Sequence, residues 1–267
     1  MRAALAAGQT PVETHQDGAY TMKSSVGTLK LAHGPRVLSM PRAAIGAQKL
    51  VLSVEEVKAL LRVLDANYVS SLQAVYPEML GITLGDQGVY SVALQAVVCG
   101  TPGQFLTGGT GLLPEPFLRL IQIALDGYQG NAPVILYRTP ERVQATFGRV
   151  TFGSALPEVK QWLDLKKVTG QLTAPPLASP LDLSPLLERQ NLFTLTHPEH
   201  LELGPNGVRA VSATSEYTWE GLTTPTAFKL PFAKLMKLLP ITPELVRLSP
   251  TLVELRGKDA TAYLSTL

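Results

Sequence analysis

One cysteine, Cys99, stands in 267 residues. A single thiol excludes an internal disulfide and any cysteine-rich metal site, and it makes the cytoplasm the expected compartment. Charge is scarce as well: 16% of residues are Asp, Glu, Lys or Arg, against 45% hydrophobic. Such a chain can bury a substantial core and is not of the disordered class. The charge is also balanced, 23 basic against 21 acidic residues for a net +2. That excludes a histone-like or tail-type polycation and leaves room for one basic face and one acidic face. Long apolar runs are missing, so no membrane span is expected. Met1 to Ala7 is too short for the apolar core of a secretory signal. The length suits one large domain or two of ordinary size.

Catalytic constellations are missing too. Thr107-Gly-Gly-Thr-Gly111 lacks the Lys-Ser/Thr that completes a phosphate-binding loop and reads as a plain turn. His197 and His200 could form half a metal site, but Pro198 lies between them and no further ligand completes the set; they read as a surface-loop pair. Cys99 follows Val97-Val98 and reads as a structural thiol. No Gly-x-Ser-x-Gly elbow or close carboxylate pair stands out. The expectation is a protein that is not an enzyme, with no catalytic residue, no metal and no cofactor.

What the chain does contain is a repeat. Leu201 to Thr214 reads as a hairpin around Asn206-Gly207, a dipeptide suited to a tight turn. Glu216 to Glu220 is β-like. Leu230 to Leu239 reads as a short helix with Pro231 in its first turn, Phe232, Leu235, Met236 and Leu239 on one face, and Lys234 and Lys237 on the other. Leu245–Leu248, Leu252–Arg256 and Ala260–Leu267 read as strands. The same order occurs earlier. Leu84-Gly-Asp-Gln-Gly-Val matches Leu203-Gly-Pro-Asn-Gly-Val, the helix at Glu115–Asp126 matches the later one with Pro116 against Pro231, and Phe152-Gly-Ser-Ala-Leu matches Tyr263-Leu-Ser-Thr-Leu. Upstream, Leu50–Leu61 matches Leu181–Gln190, with Ser53 and Ser184 as N-caps and Glu56 as the capping-box partner of Ser53. Helix, hairpin, helix and hairpins therefore recur, the signature of a duplicated unit.

The expected organisation is an arm at 1–18, a first domain at 19–156, a connector at 157–180 and a second domain at 181–267. The first domain would hold strands at 19–38, a loop or short strand at 39–49, a β-rich segment at 71–96 and strands at 133–137, 142–147 and 150–156. Pro175, Pro176 and Pro180 mark the connector. The fold class is α+β, with each repeat setting two short helices against antiparallel sheets.

The strand Gly207-Val-Arg-Ala-Val-Ser-Ala-Thr, the Leu230-Pro-Phe helix and the closing Tyr263-Leu-Ser-Thr-Leu together resemble one subdomain of a DNA sliding clamp. The pattern is most similar to the bacterial beta clamp. It departs at Ala213-Thr214-Ser215-Glu216, where that family usually carries Thr-Asp. Two domains in one chain resemble the phage, archaeal and eukaryotic clamps, and imply a trimeric ring of six domains. The resemblance implies a processivity factor that encircles duplex DNA without reading sequence and tethers a DNA polymerase, with a clamp loader as a further partner. It would act at replication sites, in the host cytoplasm if the protein is viral. A clamp turns basic helix faces to DNA phosphates; here these would be Lys58, Arg62, Arg119, Arg189, Lys234 and Lys237. Clamp partners insert an apolar motif beneath the connector, where Leu172, Leu177, Leu245, Val246 and Leu267 are the candidates. The ring junction would use the carboxyl-terminal run and strands near Val89–Val98 or Arg142–Phe147. A β-rich structural or adaptor protein of a virion or scaffold, without DNA encirclement, is the competing reading.

Overall fold

A computed structural model describes residues 15–267, apart from 18–19, 26–27, 34–35, 42–47, 71, 86–87, 101–110, 128–131, 139–141 and 149; for 15–48 only the strand backbone is described. Most of the expected arm, much of the 39–49 loop, the hairpin tip at Asp86-Gln87 and residues 107–110 of the Gly/Thr loop lie outside the described residues. The chain opens with a meander of β1 (His15–Asp17), β2 (Tyr20–Ser25), β3 (Thr28–His33) and β4 (Arg36–Pro41). The first repeat then begins.

That repeat runs β5 (Gln48–Leu52), α1 (Val54–Ala66), a 3-10 turn at Pro77–Leu80, β6 (Gly81–Gly85), β7 (Gly88–Val92) and β8 (Ala96–Gly100). It continues with β9 (Gly111–Pro114), α2 (Glu115–Asp126), β10 (Val134–Arg138), β11 (Arg142–Phe147) and β12 (Val150–Ala155). A short helix, α3 (Leu165–Thr169), follows. The second repeat runs β13 (Pro176–Asp182), α4 (Ser184–Glu188), α5 (Gln190–Leu195), β14 (His200–Gly204), β15 (Gly207–Val211) and β16 (Glu216–Trp219). It ends with β17 (Phe228–Pro231), α6 (Phe232–Leu238), β18 (Glu244–Leu248), β19 (Leu252–Arg256) and β20 (Ala260–Ser265).

Local chemistry explains where these elements start. Ser53 Oγ accepts the Glu56 N–H at 3.2 Å, and the Glu56 carboxylate accepts the Ser53 N–H at 2.7 Å, closing the capping box of α1. Ser184 does not repeat this. The Asp182 carboxylate takes the Ser184 N–H at 2.8 Å, and Ser184 is already the first helical residue. Pro114 and Pro231 are both N-caps at the ends of β9 and β17, so they are the equivalent prolines rather than Pro116 and Pro231, and Pro231 lies outside the helix. Gly88 and Gly207 close matching hairpins at φ 114° and 113°. Pro205 and Asn206 take the turn centre, and the positive φ falls on glycine, where a Cβ would lie 2.4 Å from the Trp219 carbonyl oxygen.

The sheets show the duplication in three dimensions. Order β12-β11-β10-β5 corresponds to β20-β19-β18-β13, and β8-β7-β6-β9 to β16-β15-β14-β17. Phe147 faces Val150 across one hairpin, and Gly257 bonds Ala260 across the other. Phe152 therefore matches Ala262, not Tyr263. A slip of one residue exchanges the two faces of a strand, and Phe152 indeed points to the first core while Tyr263 points away from the second.

One pairing joins the repeats. β20 lies antiparallel to β8, with Ala262 opposite Val98 and Thr261 opposite Cys99, so four strands from each repeat make one eight-stranded sheet. The carboxyl-terminal run and the Val89–Val98 region, expected at a junction between chains, are thus paired with each other inside one chain, and β8 and β20 are not free for a ring junction. β11 lies between β10 and β12 and has no free edge. Each repeat has a core, but α1 serves both: Val57, Leu61 and Leu64 pack in the first, Val63 and Ala66 in the second. Val54, at helical spacing from Val57 and Leu61, is only half-buried.

Asn67, fully buried after α1, donates to the Ser91 and Ala96 carbonyls at 2.8 and 3.3 Å and accepts from Lys234 of α6 at 3.2 Å. Replacing it with alanine removes these three hydrogen bonds from a buried site, that of half-buried Lys234 among them. Asn67→Ala should lower the unfolding free energy by about 1–3 kcal/mol in urea titrations.

Candidate nucleic-acid interface and partner cleft

Helices α2, α1 and α6 pack in a row, α1 touching both others. Their outer faces carry most of the expected DNA-contacting residues, but most of these cations have a partner. Lys58 pairs with Glu55 at 2.9 Å, which holds that carboxyl below its usual value. Arg62 reaches Asp259, in the turn before β20, at 3.3 Å. Arg119 is held by Asp65 at 2.7 Å and Glu115 at 2.9 Å, tying α2 to α1. Arg189 lies between α4 and α5, 4.1 Å over the Trp219 ring and 3.8 Å from Glu188, beside β16. Lys234 is half-buried against Asn67 rather than facing solvent; burial, then repulsion from Lys237, pushes its ammonium down to about 8. Lys237 is exposed and has no ion pair among the described residues. Helical spacing did put Lys234 and Lys237 opposite the apolar stripe, but it could not show that α1 packs over Lys234.

The connector lies on the far side of the eight-stranded sheet. Leu163, Leu165 and Val168 pack on Tyr90, Val92, Val97 and Tyr263. Glu78 accepts the Leu163 N–H at 2.7 Å, and the Tyr90 hydroxyl donates to the Leu163 carbonyl at 3.4 Å. Burial raises the Glu78 carboxyl and pushes the Tyr90 phenol up to about 12. Between the connector and the sheet opens a cleft of about 450 Å³, with Met79, Trp162, Leu163, Val168, Leu252 and Tyr263 among its walls. Tyr76 and Leu94, 61% and 69% exposed, form an apolar rim.

None of the five residues first expected in a partner pocket lines this cleft. Leu172, Leu245 and Val246 are buried, and Leu177 packs against the second core. Leu267 borders a separate cavity of about 650 Å³ with Phe228, Lys229 and Leu248. The missed signal is strand alternation: Ala262 and Leu264 point into the core, which sends Tyr263 to the connector side.

The other candidates are structural in setting. His197 sits in a turn at φ 46°, and His200, in β14, approaches Glu202 at 3.5 Å. Among the described residues no cluster of His, Cys, Asp and Glu could hold a metal. Cys99 is half-buried in β8, and burial pushes its thiol up to about 11. No described helix is long and apolar enough to cross a membrane.

This architecture is the DNA sliding-clamp fold: paired repeats, each with helices on one side and antiparallel sheets continued across the junction. The DNA polymerase sliding clamp of Pseudomonas aeruginosa superposes with a TM-score of 0.65 over 93% of this chain and 76% of that one, at 13% identity. The polymerase beta subunit of Streptococcus pyogenes gives 0.64 over the same shares, also at 13% identity. The Helicobacter pylori beta clamp bound to a DNA ligase peptide gives 0.61 over 95% and 77%, at 14% identity. No family model matches the chain, and no curated protein matches it by sequence.

The Glu78 environment makes a pH prediction. A carboxyl raised above its usual 4.5 when folded favours the protonated state, so its burial penalty is present at neutral pH and fades as pH falls through the raised value. Glu78→Gln keeps an acceptor for Leu163 without the charge. Its melting temperature should exceed wild type at pH 8, and the gap should close as pH approaches 4.5 in paired thermal scans.

Proposed function

We propose that the chain is a DNA sliding clamp: a subunit of a closed ring that encircles duplex DNA and tethers a DNA polymerase, opened and closed by a clamp loader. The observation that carries the reading is the β8–β20 pairing together with what it leaves free. By the repeat, β16 is the counterpart of β8 and β12 that of β20, and both end their sheets unpaired among the described residues. A unit that joins its halves through one edge pair and keeps the equivalent edges open is built to join further units head to tail. Six repeats, hence three chains, is the closure proposed.

The boundaries 19–156 and 181–267 are kept with one change: β13 brings Pro176–Pro180 into the second unit, so the connector is 157–175. The helix row carrying Lys58, Arg62, Arg119, Lys234 and Lys237, with Arg189 near the open edge, would face the duplex. The cleft under the connector would take an apolar peptide of the polymerase or another replication protein. The beta clamp of Helicobacter pylori, bound to a DNA ligase peptide, supports that class of partner. Tyr263 and Trp162 replace the five leucine and valine candidates as the proposed anchors.

The β8–β20 register fixes the expected register between chains. Thr261 opposite Cys99 becomes Thr151 opposite Thr218, and Ala262 opposite Val98 becomes Phe152 opposite Tyr217, an aromatic pair continuing the core. Thr151 and Thr218 are both exposed. Thr151→Cys with Thr218→Cys in one chain should oxidise to a covalent ring of three chains, read by denaturing gel and light scattering. The Cys99 thiol, pushed up to about 11, should compete poorly. A monomer at all concentrations, without cross-linking, would favour the adaptor reading instead. Tyr263→Ala should weaken binding of an apolar polymerase peptide roughly tenfold or more in fluorescence titrations, with the ring intact.

A further inference from the structure

On the ring reading, the helix row is the surface nearest the duplex, and its charges cancel. Glu55, Glu56 and Asp65 accompany Lys58 and Arg62 on α1; Glu115 and Asp126 accompany Arg119 on α2. The matching is also spatial, because Glu55, Asp259, Asp65 and Glu115 each lie within 3.3 Å of a row cation. Lys234, half-buried, donates to Asn67. Lys237 remains on the helices, with exposed Lys258 beside Asp259 in the turn before β20, and the repeat shows what α2 offers in place of Lys237: Pro114 against Pro231 sets Leu120 against it, both exposed. Leu120 and Ile123, 47% and 69% exposed, thus occupy the outer face of α2, and Leu192 and Leu195 are exposed on α5.

Phosphate binding draws its free energy from counterions released as protein cations neutralise the backbone. A cation already beside a carboxylate releases less, and the carboxylate itself repels the phosphate. Individual exposed pairs are weak and can open, but the acids stay, so the field over the row remains near zero.

We propose that Glu55, Asp259, Asp65 and Glu115 are masking residues: they cancel the helix cations so that duplex DNA, the partner on the ring reading, meets a near-neutral, partly apolar lining in which, among the described residues, Lys237 and Lys258 are the exposed cations without an ion pair. This rests on the ring reading and deepens it. The lining gives little affinity for a DNA end or side-on contact, and a duplex inside is confined rather than gripped.

The test separates the two ideas. Binding of wild-type protein to a short linear duplex, followed by fluorescence anisotropy, should show a log–log salt slope of magnitude about 5 or less for a three-chain ring, since two free lysines per chain neutralise about two phosphates. Glu55→Gln with Asp259→Asn removes two exposed carboxylates, frees Lys58 and Arg62, and should tighten linear binding roughly tenfold or more at low salt, with a steeper slope. Lys237→Glu should weaken what wild-type binding there is. In parallel, the Thr151→Cys, Thr218→Cys ring is oxidised in the presence of nicked circular duplex. It should stay on the circle at low and high salt alike and leave when the circle is cut. A wild-type slope of about 10 or more, or an unmasked variant that binds no better than wild type, overturns masking and leaves the ring. Failure to remain on circles at any salt removes the ring reading itself.

Discussion

The antiparallel contact between β8 and β20 is the constraint on which the rest depends. It turns two four-stranded sheets into one of eight, sets the repeats side by side, and brings α1 against α6. Its consequences reach both faces. On the helix side, Val63 and Ala66 enter the second core, and Asn67 is enclosed where Lys234 can reach it. On the other side, Tyr263 of β20 comes beside Val97 of β8, making the apolar floor on which the connector lies.

Much of this plan was legible in the residues because it is locally encoded. The Ser53–Glu56 box, the glycines closing two hairpins and the stripe Phe232, Leu235, Met236, Leu239 each need only a few neighbours in sequence, and each lies where its chemistry directs. Register was harder. Pro116 and Pro231 look alike in sequence, yet the hydrogen-bonded ladders match Pro114 to Pro231. Phe152 resembles Tyr263 as an aromatic, yet equal hairpin loops match it to Ala262.

The site was less legible than the fold, for a related reason. A side chain's role there depends on elements remote in sequence. Lys234 has the helical position of a solvent-facing residue, and only packing by α1 makes it a half-buried donor. Arg62 has Asp65 at helical spacing, three residues on, yet it reaches Asp259, 197 residues away in sequence. Leu245 and Val246 are apolar, but both are buried, Leu245 in the second core, whereas Tyr263 and Trp162, which no binding motif marks, flank the cleft.

The β8–β20 pair also has a consequence for synthesis. Val98 is made long before Ala262, yet each completes the other's ladder. On the ribosome, the first repeat must wait with β8 as an open edge, and with Val63 and Ala66 uncovered, until nearly the last strand has emerged. Contacts of such long sequence separation close slowly, and an open apolar edge invites pairing with a neighbouring chain. Until β20 is made, a nascent chain of this fold therefore exposes, in β8, the same kind of edge that, among the described residues, the finished chain retains in β12 and β16. Translation order decides how long β8 stays open before its own chain supplies β20.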